Sequence, residues 1–261
     1  MSAFAVPPLD GHGCVRRARP LLGTLVDIGV PDGAELALRA AFEAIGQVQR
    51  LMSVFEAGSD LSRSHATPAG EPVRLHPWTA EVLTLAQTLS DQTEGLFDVA
   101  LGSGPWALRQ EGEHTNLVRL SPGTRLDLGG LAKGWAVDLA VEVALGQGAK
   151  AVWVNAGGDL RVQGMTLPIV LRDERTGGVR PWAELTDGAM ASSDFRPGAR
   201  SSLSGTLCAG HLSVLAPRCA WADALTKVLA QQAKVDQGRV HDLLQHYQAQ
   251  VWVHDRSTSS P

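Results

Sequence analysis

The sequence predicts an α+β protein, and three observations carry that expectation. Segments with helical spacing and segments with strand character alternate irregularly along the 261 residues. Strand candidates often follow one another directly, and no internal repeat is present. A doubly wound parallel sheet would show regular strand–helix alternation instead.

Each element rests on its own local signal. LLGTLVDIGV, residues 21–30, is the first strand candidate, apolar at Leu25, Ile28 and Val30 and closed by a Pro-Asp-Gly turn. Leu38, Phe42, Ile45, Val48 and Met52 then recur at helical spacing. The polar stretch EAGSDLSRSHATPAG, residues 56–70, reads as a loop, and a second helix follows over 78–92 through Val82, Ala86 and Leu89. TEGLFDVALGSGPW, residues 93–106, is glycine-rich and reads as a loop. LDLGGLAKG, residues 126–134, is a glycine turn that opens a helix over 132–146. AKAVWVNAGGDLRVQG, residues 149–164, reads as strand, tight turn, strand. LPIVLRD, GAMASS and HLSVLA are short strand candidates, followed by the helix WADALTKVLA, a last helix over 235–247 and a final strand, AQVWVH.

Bulk composition narrows the partners. Hydrophobic residues make up 44% and charged residues 19%, as in a globular chain. A net charge of -4 gives no global field for nucleic acid or an anionic membrane, so phosphate must be held by local features. Cys14, Cys208 and Cys219 form an odd set without zinc or disulfide spacing. No early basic cluster precedes an apolar run, and no stretch approaches the ~18 apolar residues of a membrane span. A cytoplasmic location is the expectation.

Two glycine segments carry the first hint of chemistry. In LDLGGLAKG, Gly129 and Gly130 let the backbone approach a ligand, and the following helix presents N–H groups to an anion. Lys133 adds a cation in the first turn, where it is unfavourable for the helix itself. A partner is therefore expected, either Asp127, Asp138 or a bound phosphate. A structural glycine turn fits the segment equally well. VNAGGDL alone is a plain hairpin turn as readily as a ligand loop. In WADALTKVLAQQ, the spacing of Asp223, Thr226 and Lys227 puts them on one side of a helix. Carboxylate and hydroxyl there could hold a hard cation; carboxylate and ammonium could be an ordinary ion pair. Neither G-x-S-x-G nor H-E-x-x-H occurs, and the eight histidines show no metal-ligand spacing apart from the poorly aligned pair His241 and His246.

In order, these segments resemble the ApbE-type FAD:protein FMN transferases, over about residues 19–235. RPLLGTLVDI is similar to the family's R-x-x-M-G-T strand, with Leu22 in place of Met, and so points to Gly23 and Thr24. SVFEAGSDLSRSH resembles its S-x-Y-x-x-x-S-x-L-S-x-L-N segment, with Phe55 in the flavin-side aromatic position and His65 for Asn. EGLFDVALG resembles G-x-F-D-P through Phe97 and Asp98. LDLGGLAKGWAVD and VNAGGDLRVQG match the two most distinctive motifs. AMASSDF and LSVLAP with WADALTKV match the later ones.

The resemblance implies an ApbE-like fold of mixed or antiparallel sheets with packed helices and a cleft lined by glycine-rich turns. Residues 19–256 would form one domain, with a flexible segment over 1–18 and a frayed tail over 257–261. It implies FAD as donor, Mg2+ on the pyrophosphate, release of AMP, and FMN left on a Thr or Ser of an acceptor flavoprotein carrying D-x-x-[ST]-G-A-[ST]. The implied flavin-binding set is Gly23, Thr24, Phe55, Phe97, Asp98, Asp127, Gly129, Gly130, Lys133, Asn155, Ala156, Gly157, Gly158, Asp159, Ser192 and Ser193. The implied metal ligands are Asp223, the backbone carbonyl near Ala132, and a hydroxyl.

Two departures bear on activity. The family's hydroxyl ligand stands four residues after the Asp, where this chain has Lys227, and Thr226 is one residue earlier. Lys227 either takes the cation's place or points away and leaves Thr226 as ligand. The family's H-x-I-x-D-P-x-T-G stretch is replaced by RPGARSSLSGTLCAGHLSV, residues 196–214, so His211 and Asp194 are the nearest candidates for acid–base work beside Asp223 and Lys227. Flavin transfer is the leading expectation. An FAD-holding homologue without transfer chemistry, and an FAD hydrolase giving FMN and AMP, are the alternatives.

Overall fold

The structure, a computed structural model, describes residues 4–5, 13–172, 179–195, 210–231 and 237–254. Every strand pair among them is antiparallel. The chain enters through β1 (Phe4–Ala5), then the hairpin β2 (Cys14–Leu21) and β3 (Thr24–Pro31). Leu22 and Gly23, at φ 54° and 69°, form its two-residue turn, the left-handed pair that suits strand twist. The expected strand over 21–30 is therefore the turn plus β3. Residues 14–18 of the segment expected to be flexible form part of β2, paired with β3 from Cys14↔Pro31 onward.

The helix α1 (Glu35–Met52) buries Leu38, Phe42, Ile45, Val48 and Met52, the stripe that the spacing predicts. The stretch expected as a loop over 56–70 contains a short helix, α2 (Asp60–Ala66), capped by Ser59, whose hydroxyl accepts the Ser62 N–H at 3.0 Å. Next come β4 (Pro72–Arg74), α3 (Pro77–Gln92), β5 (Trp106–Glu111) and β6 (His114–Arg119). The helix α4 (Ala132–Gly146) starts where the glycine turn predicts. The hairpin β7 (Val152–Ala156) and β8 (Asp159–Gln163) follows, then β9 (Thr166–Arg172), β10 (Val179–Thr186), β11 (Ala189–Asp194), β12 (His211–Ala216), α5 (Cys219–Leu229), α6 (Gln237–His246) and β13 (Gln250–His254).

A seven-stranded sheet, ordered β13-β12-β11-β8-β7-β3-β2, is the backbone of the fold, flanked by three-stranded sheets β1-β9-β10 and β4-β6-β5. Strand alternation splits its two faces. Val152, Val154, Ala189, Ala191, Leu212 and Val214 share a core with α1, α4 and α5. Trp153, Leu160, Val162 and Met190 share a second core with Leu167, Ile169 and Leu185 of β9 and β10.

On the helical face α4 and α5 come unusually close at Gly134. A Cβ there would lie 2.4 Å from the Cys219 carbonyl oxygen and 2.7 Å from its carbon, and backbone cannot yield as a side-chain tip can. Gly134→Ala is expected to destabilise the fold by ~1–3 kcal/mol, the usual cost of overpacking, as read from urea unfolding midpoints. An unchanged midpoint would contradict this packing.

Candidate active site

The N-terminal N–H groups of a helix need acceptors, and at α4 and α5 each helix supplies them to the other. Neither Leu131 nor Arg218, the residues at the caps, provides a side-chain cap. Asp223 Oδ2 of α5 accepts the Gly134 N–H at 3.2 Å. Asp138 of α4 accepts the N–H groups of Cys219 and Ala220 at 2.8 and 3.0 Å. Both carboxylates are fully buried, so each needs cations. Asp138 has Arg161 at 3.0 Å and Arg218 at 3.5 Å. Asp223 has Lys227, whose Nζ donates to Oδ1 at 2.5 Å.

A third buried carboxylate, Asp159, completes the centre. Lys133 Nζ pairs with Asp159 Oδ2, which joins the first turn of α4 to the β7–β8 turn. Asp159 is the lysine's partner rather than the expected Asp127 or Asp138. Asp138 is turned toward α5, and Asp127 Oδ1 accepts the Gly129 N–H at 2.8 Å. Asp159 Oδ1 is buried with no hydrogen-bond partner among the described residues. Two carboxylates and two ammoniums thus form a neutral quartet with its lysines toward solvent: Lys133 and Lys227 side chains are 26% and 16% exposed, their Asp partners 0%.

The charges within the quartet are unequal. Burial, reinforced by the Asp223 carboxylate, pushes Asp159 up to about 6 against the pull of Lys133 and Lys227. Burial acts on Asp223 in the same sense, but Lys227, Lys133 and the Gly134 N–H outweigh it and hold its carboxyl below the ordinary range. Burial alone would lower Lys133, yet Asp159 and Asp223 hold its ammonium above the usual lysine value.

The glycine turns gather at one end of the seven-stranded sheet. Gly157, at φ 66°, packs on Thr24 so closely that a Cβ would stand 2.3 Å from the Thr24 hydroxyl oxygen. The Gly158 N–H donates to Asn155 Oδ1 at 3.0 Å, and Ala156 is buried beneath. The Leu22–Gly23 turn is tied in by Gln49, which accepts the Leu22 N–H at 2.8 Å and donates to Glu56 at 3.1 Å beside Phe55. Phe55 is 95% exposed, an unusual state for a phenylalanine. His65 takes up the Leu126 N–H on Nε2 at 2.9 Å, so its ring acts as a neutral acceptor. Burial, together with Arg125 and Arg119, lowers its pKa.

The other expected site residues divide: Ser193 joins the centre and the rest lie elsewhere. Phe97 is buried in the main core. Asp98 spends both oxygens on its own loop, accepting the Ala100 and Gly102 N–H groups at 2.8 and 2.7 Å. Ser192 and Ser193 are neighbours on β11 and point to opposite faces. Ser193 Oγ meets Lys227 Nζ at 2.9 Å and the Thr226 hydroxyl at 2.9 Å. Ser192 Oγ meets Ser213 Oγ at 2.8 Å on the far face, where Ser213 also bonds His254 Nε2 at 2.7 Å. His211 shares that side of β12 with Ser213 and stacks its ring 5.0 Å from His254. Its register partner Asp194 shares the face of Ser192. The structure therefore separates His211 and Asp194 from Asp223 and Lys227. The stretch 196–209, including Cys208, lies outside the described residues.

The expected divalent site at Asp223, Thr226 and Ala132 does not fit this arrangement. Lys227 Nζ lies 3.0 Å from Thr226 Oγ1, and Thr226 donates to the Asp223 carbonyl at 2.7 Å. Both Asp223 oxygens are already used, and no group of three His, Cys, Asp or Glu could hold a metal ion among the described residues. A divalent ion ~4 Å from the ammonium would be repelled by about 8 kcal/mol at an effective dielectric near 20, twice the value for unit charges.

The structure is thus an antiparallel α+β fold whose glycine turns meet a buried lysine–carboxylate quartet. A model of the ApbE family matches residues 22–114 and 104–195, more than half of the chain. The chain belongs to the ApbE family. It is 28% identical over 222 residues to an FAD:protein FMN transferase of Rhodobacter capsulatus, covering 71% of this chain and 40% of that one. To one of Vibrio cholerae serotype O1 it is 26% identical over 184 residues, 58% and 55% of the two chains. The matches span about half the length of these relatives. Among solved structures, a flavin transferase ApbE from Vibrio cholerae superposes with a TM-score of 0.76 at 23% identity, covering 93% of this chain and 94% of that one. The ApbE protein of Thermotoga maritima gives 0.76 at 22%, covering 92% and 94%. These structures share the fold.

Sequence reasoning missed Gln49 and the capping role of Asp138. Asp138, flanked by apolar residues on a largely apolar helix whose other charges are Lys133 and Glu142, was the available signal for the second. Asp159 yields a pH prediction. Because the folded state holds its proton more tightly than the unfolded chain, its contribution to stability is present in full below about pH 4 and lost as pH rises through about 6. The stability of wild type relative to Asp159→Asn should therefore fall by up to ~3 kcal/mol between pH 4 and 7, measured by urea unfolding. A difference independent of pH would contradict the raised value.

Proposed function

We propose that this chain is an FAD:protein FMN transferase. A Thr or Ser hydroxyl of an acceptor flavoprotein attacks the phosphorus next to riboflavin, the pyrophosphate bridge breaks, and AMP leaves with the bond's electron pair. The hydroxyl proton passes to a base. The observation that carries this reading is the bridge from Lys133 to Asp159, which draws the GGLAKG and NAGGD turns into one cradle. The Gly129, Gly134 and Gly158 N–H groups already serve Asp127, Asp223 and Asn155, so it is the other N–H groups of the two turns, with the dipole of α4, that suit a pyrophosphate. Lys133 supplies the cation at its rim, and exposed Phe55 offers an aromatic face for the isoalloxazine.

A second reading is favoured by one specific observation. The candidate bases His211 and Asp194 stand on the far face of the sheet, and loss of general-base catalysis removes ~100- to 10,000-fold in rate. An FAD-holding homologue without efficient transfer keeps the cradle and lacks the base. Hydrolysis by water at the same phosphorus needs no acceptor. Neither reading calls for nucleic acid or a membrane, and no helix among the described residues is long and apolar enough to cross one.

One assay separates them: purified protein with FAD, with and without an acceptor carrying D-x-x-[ST]-G-A-[ST]. FMN covalently on the acceptor, with AMP released, is the expected result. Free FMN and AMP would indicate hydrolysis, intact bound FAD a carrier, and no FAD binding would refute the flavin reading altogether. Lys133→Met should weaken FAD binding about 10- to 100-fold, the value of a charge-assisted hydrogen bond, as read by flavin fluorescence. Unchanged affinity would place the pyrophosphate elsewhere.

A further inference from the structure

Lys227 is held as a metal ion would be held. Its Nζ is ringed by Asp223 Oδ1 at 2.5 Å, Ser193 Oγ at 2.9 Å and Thr226 Oγ1 at 3.0 Å, oxygens drawn from α5 and β11. An ammonium has three donors, and these three oxygens use all of them. The separations suit N–H···O bonds and exceed the ~2.1 Å of magnesium–oxygen bonds, which also demand six ligands. The lysine stem is fixed as well. It packs along Gly130, where even a Cβ would stand in ordinary van der Waals contact with Cε, Cγ and Cδ, at 3.5, 3.6 and 3.8 Å. Withdrawing the ammonium would leave Asp223, fully buried, with a single N–H.

We infer that the Lys227 ammonium is the resident cation of the Asp223–Thr226–Ser193 oxygen cage, standing in for a divalent metal ion, so that this chain holds its anionic ligand without one. Two lysines divide the work. Lys227, saturated by the cage, cancels the capping charge of Asp223. Lys133 is paired with Asp159 alone among the described residues and is the more exposed of the two, so it faces the phosphate. The cage oxygens remain a potential metal site once the ammonium is removed. Replacing it with a hydroxyl would leave a carboxylate and three hydroxyls around one point.

The test titrates Mn2+ into the full chain, followed by electron paramagnetic resonance with and without FAD, and measures FAD affinity in EDTA and in Mg2+. The FAD arm rests on the flavin reading; the Mn2+ arm does not. Wild type should leave Mn2+ free and bind FAD within about twofold in either buffer. Lys227→Thr should bind one Mn2+ per chain and make FAD affinity metal-dependent by about tenfold or more. One Mn2+ per wild-type chain that Asp223→Asn abolishes would overturn the inference, as would a folded Lys227→Thr that ignores Mn2+. If Lys227→Thr does not fold, Lys227→Ser repeats that arm and the wild-type titration still decides. If wild type binds no FAD in either buffer, the flavin reading fails while the Mn2+ result stands.

Discussion

The constraint on which the rest depends is the exchange of carboxylate caps between α4 and α5. Each helix begins without a side-chain cap of its own and takes one from its neighbour, Asp223 for α4 and Asp138 for α5. That exchange needs the helices almost in backbone contact, which a glycine at 134 permits. It also buries two negative charges, and buried charges require cations. Arg161 and Arg218 answer Asp138; Lys227 answers Asp223. The charged centre is thus a consequence of how the two helices pack.

Strand parity then decides which residues can take part. One face of β11 and β12 meets α5, the other a second sheet, so adjacent residues serve different environments. Ser193 enters the cage of Lys227, while Ser192 joins Ser213 and His254 across the sheet. His211 follows Ser213 by the same rule. A polar residue one position from a motif residue is in sequence a neighbour and in space on the far side of the sheet.

Much of this was legible in the sequence. The turn at Gly129–Gly130 marks the start of α4, and the NAGGD turn marks the β7–β8 hairpin, where Gly157 and Gly158 hold the left-handed φ values, 66° and 106°, that favour glycine. The spacing of Asp223, Thr226 and Lys227 likewise puts them on one face. Pairing across elements was not legible. Nothing local says that Lys133 reaches Asp159 rather than Asp138, since that depends on β8 lying beside α4. Nor did the polar stretch 56–70 disclose α2, whose helix is held by a Ser59 cap and a buried Leu61 rather than by an apolar stripe. Asp98, with the look of a ligand residue, serves its own loop.

The most direct test of the account is a crystal structure grown with FAD and Mn2+ and recorded at the manganese edge. The account predicts the pyrophosphate between the α4 entry turn and the Gly157–Gly158 turn, Lys133 on a phosphate oxygen, Lys227 still on Asp223, and no anomalous peak in that cage. Manganese bound to Asp223 with Lys227 displaced, or FAD held away from these turns, would contradict it.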